Sequence, residues 1–399
     1  MSLQLIAHSQ DLQRLLNEGY DIEIRSGYLF VKDVPYVKSD RTIGLGTLIS
    51  ALRTSGDTTM QPDNHVALWI GEFPCDGSGR LMDEMGSRNQ DTKIDNEVTA
   101  KHIFSRKPVS GTYSDYYHKM TTYIAFLEGQ AQKIDANITA RTFAPYMARE
   151  GESAFNYVDT ASSRSGITSI THKLEGKRIG IVGLGGTGSY ILDLVAKTPV
   201  KEIHLYDDDL YLTHNAFRSP GAPSVEDLRK RVKKVNWLAE IYSKIHRGII
   251  PHDIHIDSSC FEQLKGLDFV FLCLSNDPNK RSIIDHLVGN SIPFIDGGMG
   301  LFLADESLGG IVRVTLCTSE KKDHINRRII FGDNTNDDYR QNIQIADLNA
   351  LNAVLAVIRW KKESGFYINM EKEFSTAYTI SRNVIDNDEQ YVKEMQDQA

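Results

Sequence analysis

The chain has little cysteine, and what it has is scattered. Cys75, Cys260, Cys273 and Cys317 are its four cysteines and form no Cys-x-x-Cys pair, which excludes a zinc site built from cysteine. So few thiols in a chain of this size also exclude a disulfide framework. There is no uninterrupted apolar run of membrane-spanning length, and Met1-Ser-Leu-Gln-Leu-Ile-Ala-His8 carries no signal-peptide pattern, because an Asp and a Glu follow soon after. The expected location is cytoplasmic, away from membranes. Positive charge is short as well: the formal net charge is −8. A general nucleic-acid binder needs a basic face for counterion release, and the basic run at 229–234 is too local to supply one. There is no internal repeat and no low-complexity block. With 399 residues, 41% hydrophobic and 25% charged, the chain is long enough for two domains with separate cores.

Lys177-Arg-Ile-Gly-Ile-Val-Gly-Leu-Gly-Gly-Thr-Gly-Ser-Tyr190 reads as a buried strand, a glycine-rich turn and the start of a helix. Gly183, Gly185 and Gly188 satisfy G-x-G-x-x-G, with Gly186 as a fourth glycine inside it. In such a turn the missing side chains let backbone N–H groups and a helix N-terminus approach a phosphate chain. Asp207-Asp208-Asp209 closes the next strand, about 20 residues on, where a carboxylate meets ribose hydroxyls in dinucleotide-binding units. Asn215 and Arg218 follow, and Lys234 stands in a helix shortly after, with Lys233 as its rival within a basic run that also reads as solvated helix surface. A nicotinamide enzyme leaves these cations without a task. An enzyme that expels pyrophosphate uses them to stabilise charge on the leaving group.

In order and spacing, Gly183-Leu-Gly-Gly-Thr-Gly-Ser189, Asp207-x-Asp209, Asn215-x-x-Arg218 and Lys234 resemble the adenylation domain of the ThiF/MoeB/HesA and ubiquitin-activating-enzyme superfamily. The resemblance runs from about Phe155 to Tyr367. It implies a Rossmann-like doubly wound α/β sheet and ATP-dependent adenylation of the C-terminal carboxylate of a ubiquitin-like protein, with ATP and Mg2+ as cofactors. It implies that the glycine turn holds the phosphates, that Asp207 binds the ribose and Asp209 lies near the phosphates, and that Asn215, Arg218 and Lys234 contact the phosphates and departing pyrophosphate. The magnesium acid is assigned to Asp277, with Ser275 and Asn276 open as alternatives of register. An arginine reaching into a partner subunit's site is assigned to Arg164, against a plain surface role. The partners so implied are a ubiquitin-like protein, a second copy of the chain and a conjugating enzyme.

The expected organisation is an α+β domain at 1–150, handling substrate or partner, an adenylation domain at 151–385 and an acidic, polar, mobile tail at 386–399. In the first domain the pattern predicts a helix from Ser9 to Gly19, a β-hairpin through Tyr28–Tyr36, a strand at 65–70 and a helix from Ser114 to about Leu127. In the second it predicts strands near 178, 202, 269 and 292. One helix is expected to carry Val225, Leu228, Val232, Val235, Leu238, Ile241 and Ile245 on its apolar face, and a last helix at 343–360, apolar on nearly all sides, to be buried at a subunit contact. Cys75, in Gly71-Glu-Phe-Pro-Cys-Asp-Gly-Ser-Gly79, is the candidate to take the acyl group as a thioester if its thiol is exposed; the alternative is a packed strand-end cysteine. Cys273 and Cys317 read as structural. Three other functions use the same motifs: adenylation of a small-molecule or peptide carboxylate, an NAD-binding oxidoreductase, and a nucleotide-binding scaffold without turnover.

Overall fold

The computed structural model describes residues 2–148, 151–275, 277–331 and 343–390. The chain divides into two compact units, Met1–Ser153 with Tyr157–Ile167, and Ala154–Asn156 with Thr168–Ala399.

In the first unit a six-stranded antiparallel sheet runs in the order Ile22–Arg25, Tyr28–Val37, Ile43–Ala51, Val66–Ile70, His102–Ser105, Gly86–Ser87. The helix Tyr116–Ala131 completes its core and is capped by Asp115, whose carboxylate accepts from the His118 amide. Trp69, Phe104 and Tyr123 stack through this core. The segment expected to hold a hairpin is instead one strand, Tyr28–Val37. The hairpin turn lies before it at Ser26-Gly27, where both residues have positive φ, and Asp33 (φ 52°) forms a bulge at which the register shifts between Val31 and Val34. Helices Ser2–His8 and Gln10–Asn17 precede the sheet.

The second unit is a Rossmann-like doubly wound sheet. Five strands are parallel, in the order Ile249–His252, Glu202–Tyr206, Arg178–Val182, Phe269–Leu272, Phe294–Ala304; antiparallel Ser307–Cys317, Ser375–Thr379 and Val384–Asp388 extend it. Alternation along the strands feeds two cores. Ile179 and Ile181 pack with the helices Gly186–Val195, Lys234–Tyr242 and Ala346–Glu363, whereas Val182, Val270 and Leu272 pack with Lys280–Gly289 on the other face. The strand order reverses at Arg178–Val182, and in open α/β sheets ligands bind beyond the strand ends at such a switch point.

Three expectations change here. The single helix after the acidic cluster is two, Val225–Lys230 and Lys234–Tyr242, broken at Arg231 (φ 49°). The break follows from competition for backbone groups: the Tyr211 amide donates to the Val232 carbonyl and the Lys234 amide to the Asp209 carbonyl, so the chain at 232–234 is held against the acidic loop. Val225 is consequently exposed, while Val235 and Leu238 enter the core. The last helix, Ala346–Glu363, buries Asn349, Asn352 and Arg359 with its apolar residues and leaves Val354 and Ile358 exposed. Of the expected tail, residues 386–388 form the end of an edge strand, and 391–399 lie outside the described residues.

Candidate nucleotide site

The glycine turn sits at the switch point. The Gly183 amide donates to the Tyr206 carbonyl and the Cys273 amide to Val182, so the turn is fastened to the strands on either side. Gly183 has φ 87°, and a Cβ there would lie 2.7 Å from the Cys273 carbonyl oxygen; at Gly188 a Cβ would lie 1.9 Å from the Gly183 oxygen. These two glycines let the turn close on itself. The helix that opens at Gly186 has Gly185 as its N-cap, with no side chain to cap it. Its first N–H groups therefore have no capping side chain, an arrangement suited to an anion. Gly186 differs: the space left by its missing Cβ is taken by Asn349, whose Nδ2 would be 2.0 Å away.

Asp207 is nearly buried, and its Oδ2 accepts from the Leu184 amide at 2.7 Å, tying the acidic cluster to the glycine turn. Its Oδ1 accepts from the Asp209 amide at 2.9 Å. Lys234, only 5% exposed, places Nζ 3.2 Å from Asp207 and 2.6 Å from Asp209. Lys233 points elsewhere, to the Asp208 carbonyl and Asp253. The hydrogen bond from Lys234 is the main cause holding the Asp209 carboxyl below its ordinary range, opposed by partial burial.

Asn215 is buried and its Oδ1 accepts from the Leu212 amide, while its Nδ2 has no partner among the described residues. Arg218 is similar: its Nε is buried and unpartnered. Burial pushes the Arg218 pKa down, with Asp209 and Asp207 acting against it, and a guanidinium stays protonated throughout. Buried donors of this kind are costly unless an acceptor completes them. Phosphate oxygens are such acceptors, so the residues present fit a phosphate-bearing ligand such as a nucleotide.

Asp277 lies after the strand Phe269–Leu272, with its Oδ1 accepting from the Asn279 amide and its Oδ2 3.4 Å from His255 Nε2. His255 also reaches Asp208. Ser275 meets Gln344, and Asn276 lies outside the described residues. Among the described residues no group of three or more His, Cys, Asp or Glu side chains is arranged to hold a metal ion.

Arg164 ends the helix Thr160–Arg164 in the first unit and donates to the Asn17 carbonyl at 2.8 Å. Cys75 takes the packed alternative, which corrects its candidacy as acyl acceptor. It is 1% exposed and packs with Val37 and Ala131, and bridges to Val37 and Leu81 turn it inward although the following Asp76–Gly79 turn is at the surface. Burial, then Asp76 and Glu72, push its thiol pKa up, against thiolate chemistry. Cys317 is buried and Cys273 packs against the core; burial raises both thiols.

Sequence reasoning missed Asn349, whose Oδ1 accepts from Thr187 Oγ1 at 3.1 Å. The available signal was Asn349 and Asn352, three residues apart in an otherwise apolar run. It also missed the buried pair Lys280–Asp296 (2.6 Å), which lines an open cavity of about 90 Å³ with Ser275, Gly297 and Arg313.

Among curated proteins, a tRNA threonylcarbamoyladenosine dehydratase of Haemophilus influenzae is 27% identical over 136 residues, 32% of this chain and 50% of the relative. The chain thus spans about half the length of that relative. Among solved structures, E. coli MccB with MccA-N7isoASN aligns at TM-score 0.47 and 17% identity, over 60% of this chain and 74% of that one. E. coli MccB with ATP aligns at TM-score 0.44 and 17% identity, with the same coverage. Family models match two segments: residues 10–160 match a domain of unknown function (DUF6791), and residues 161–358 match the ThiF family. The segment that carries the glycine turn, the acidic cluster, Asn215, Arg218, Lys234 and Asp277 is a ThiF family domain.

Proposed function

We propose that the second unit activates a carboxylate by ATP-dependent adenylation, and that the carboxylate is the C-terminus of a ubiquitin-like protein. The observation that carries the reading is the pair of buried, unpartnered donors, Asn215 Nδ2 and Arg218 Nε, beside an uncapped glycine turn. Two such donors suit a departing pyrophosphate, on which charge develops during the reaction. Bound ATP supplies the electrophile: a carboxylate oxygen forms a bond to the α-phosphorus, the bond from that phosphorus to the bridging oxygen breaks, and pyrophosphate leaves. The chain's own residues orient and neutralise. The first turn of the Gly186–Val195 helix cradles the phosphates, Asp207 holds that turn through Leu184 and faces the ribose, and Asn215 and Arg218 take up charge on the leaving group. Asp277 would supply one carboxylate to Mg2+, which would neutralise charge on the phosphates.

Burial of Cys75 removes the candidate acceptor within the chain, and the reading takes the acyl group from the adenylate to a nucleophile on another molecule, in keeping with a conjugating partner. A homodimer with Arg164 completing the neighbouring site remains part of the proposal. Mixing Arg164→Ala with Asp209→Ala subunits should then restore activity, because one site of a mixed dimer keeps both groups.

ATP–pyrophosphate exchange tests the reading. It should appear with a ubiquitin-like protein and vanish when its C-terminal carboxylate is amidated. The assay should include short peptides and, given the nucleoside named in the dehydratase relative, RNA bearing a carboxylated base. Exchange with those alone would reassign the substrate, and NADH binding without exchange would overturn adenylation.

A further inference from the structure

Asn349 is 1% exposed in the helix Ala346–Glu363, yet its amide faces two elements of the nucleotide site at once. Its Oδ1 accepts from Thr187 Oγ1, in the first turn of the phosphate helix, at 3.1 Å. Its Nδ2 donates to the Arg218 carbonyl at 3.5 Å, the long end of the hydrogen-bonding range. Gly186 leaves the room for this amide: a Cβ there would meet Nδ2 at 2.0 Å, Cγ at 2.3 Å and Oδ1 at 2.6 Å. A real Cβ never approaches so closely, so only glycine at 186 coexists with Asn349 in this position.

From this geometry we infer that Asn349 is a positioning residue that ties the glycine turn to the segment carrying Arg218. It fixes the separation between the groups that cradle the phosphates and the guanidinium beside them. A buried amide suits this task because both its ends are polar and directional, and because leaving either end unpaired is costly in a low-dielectric setting. An apolar residue of the same volume would fill the space without specifying the distance. The inference rests on the adenylation reading for its catalytic consequence, although the tie itself does not.

The test uses the full chain with Asn349→Leu, which keeps the volume and removes both hydrogen bonds, and Asn349→Asp, which keeps the acceptor for Thr187 and removes the donor to Arg218. Hydrogen exchange in the absence of ligand should quicken about tenfold or more at residues 184–189 and 215–218 in the Leu variant, and at 215–218 only in the Asp variant. In pyrophosphate exchange both variants should lose about tenfold or more in kcat with a much smaller change in KM for ATP, as expected when a group acting in the transition state is misplaced. Gly186→Ala should reproduce the loss. Combined with Asn349→Ala it should be no worse than Asn349→Ala alone, because both changes break one tie.

Unchanged local hydrogen exchange in Asn349→Leu would overturn the inference, as would additive losses in the double variant. If the wild-type chain shows no pyrophosphate exchange with any carboxylate, the adenylation reading fails and hydrogen exchange still decides the tie.

Discussion

Lys234 and Asp209 form an ion pair of 2.6 Å in which the lysine side chain is 6% exposed and the carboxylate 72%. The pair is therefore asymmetric: the cation is committed to the protein, and the anion is reachable from solvent. Asp207, 9% exposed at its side chain, shares the same cation at 3.2 Å. Lys234 is what allows two carboxylates to stand together under the glycine turn.

Removing the cation should cost more than removing the exposed anion. Lys234→Met leaves Asp207 nearly buried and without its countercharge, and stability should fall by about 2 kcal/mol, below the 3–5 kcal/mol of a fully enclosed pair because Asp209 is solvated. Asp209→Asn should cost less than about 1 kcal/mol, as exposed charges do. Urea denaturation of the two variants checks the order. Equal losses would mean that solvent already screens Lys234.

Asp207 and Arg218 should fail in different ways. Asp207→Ala unties the Leu184 amide and, on the proposed reading, removes a ribose acceptor, so KM for ATP should rise by about tenfold or more. If Arg218 neutralises departing pyrophosphate as proposed, Arg218→Ala should lower kcat by about 100-fold or more with a smaller change in KM. Steady-state pyrophosphate exchange separates the two, and the reverse pattern would exchange their roles.

Cys75 should behave as a core residue. In the native protein a maleimide should label the half-buried Cys260 first and spare Cys75 and Cys317. Cys75→Ser should leave pyrophosphate exchange unchanged and lower stability by about 1–2 kcal/mol, because a hydroxyl replaces a thiol packed against Val37 and Ala131. Rapid native labelling at Cys75, read by peptide mass mapping, would restore it as an acyl acceptor.

The parts of this molecule that were legible in its sequence are those with a local signature. An apolar run ending in Gly183-x-Gly185 specifies a strand and a tight phosphate turn within a few residues, and acids after the next strand fall beside it because parallel strands in register align their ends. The structure accordingly brings Asp207, Asp209 and Lys234 within ion-pairing distance. What escaped reading depends on distant chain. Gly186 has the pattern of a phosphate glycine, yet its space is taken by Asn349, from a helix far along the sequence. Apolar periodicity at 225–245 hid a break that arises only because Asp209 and Tyr211 capture the backbone at 232–234. Cys75 sits in a surface loop whose bridges to Val37 and Leu81 turn its side chain inward, and nothing in the loop's own composition encodes that.

In the first unit Lys119 is 2% exposed and its ammonium donates to Ser50 Oγ at 2.8 Å. Burial pushes its pKa down to about 8 from an ordinary 10.5, with Asp63 opposing the shift. Below pH 8 the lysine is protonated in both folded and unfolded chains. Between pH 8 and 10.5 the unfolded chain holds the proton and the folded chain does not, so stability rises with pH through that window. The shift corresponds to about 3 kcal/mol carried as a penalty at neutral pH. Lys119→Met should remove it: the variant should be more stable than wild type at pH 7 by about 1–3 kcal/mol, and the difference should shrink towards pH 10.5. Urea denaturation of the full chain at pH 7, 9 and 10, followed by hydrogen exchange at amides of the Tyr116–Ala131 helix, measures it. A variant less stable than wild type at every pH would mean that the Lys119–Ser50 hydrogen bond outweighs the cost of burying the charge.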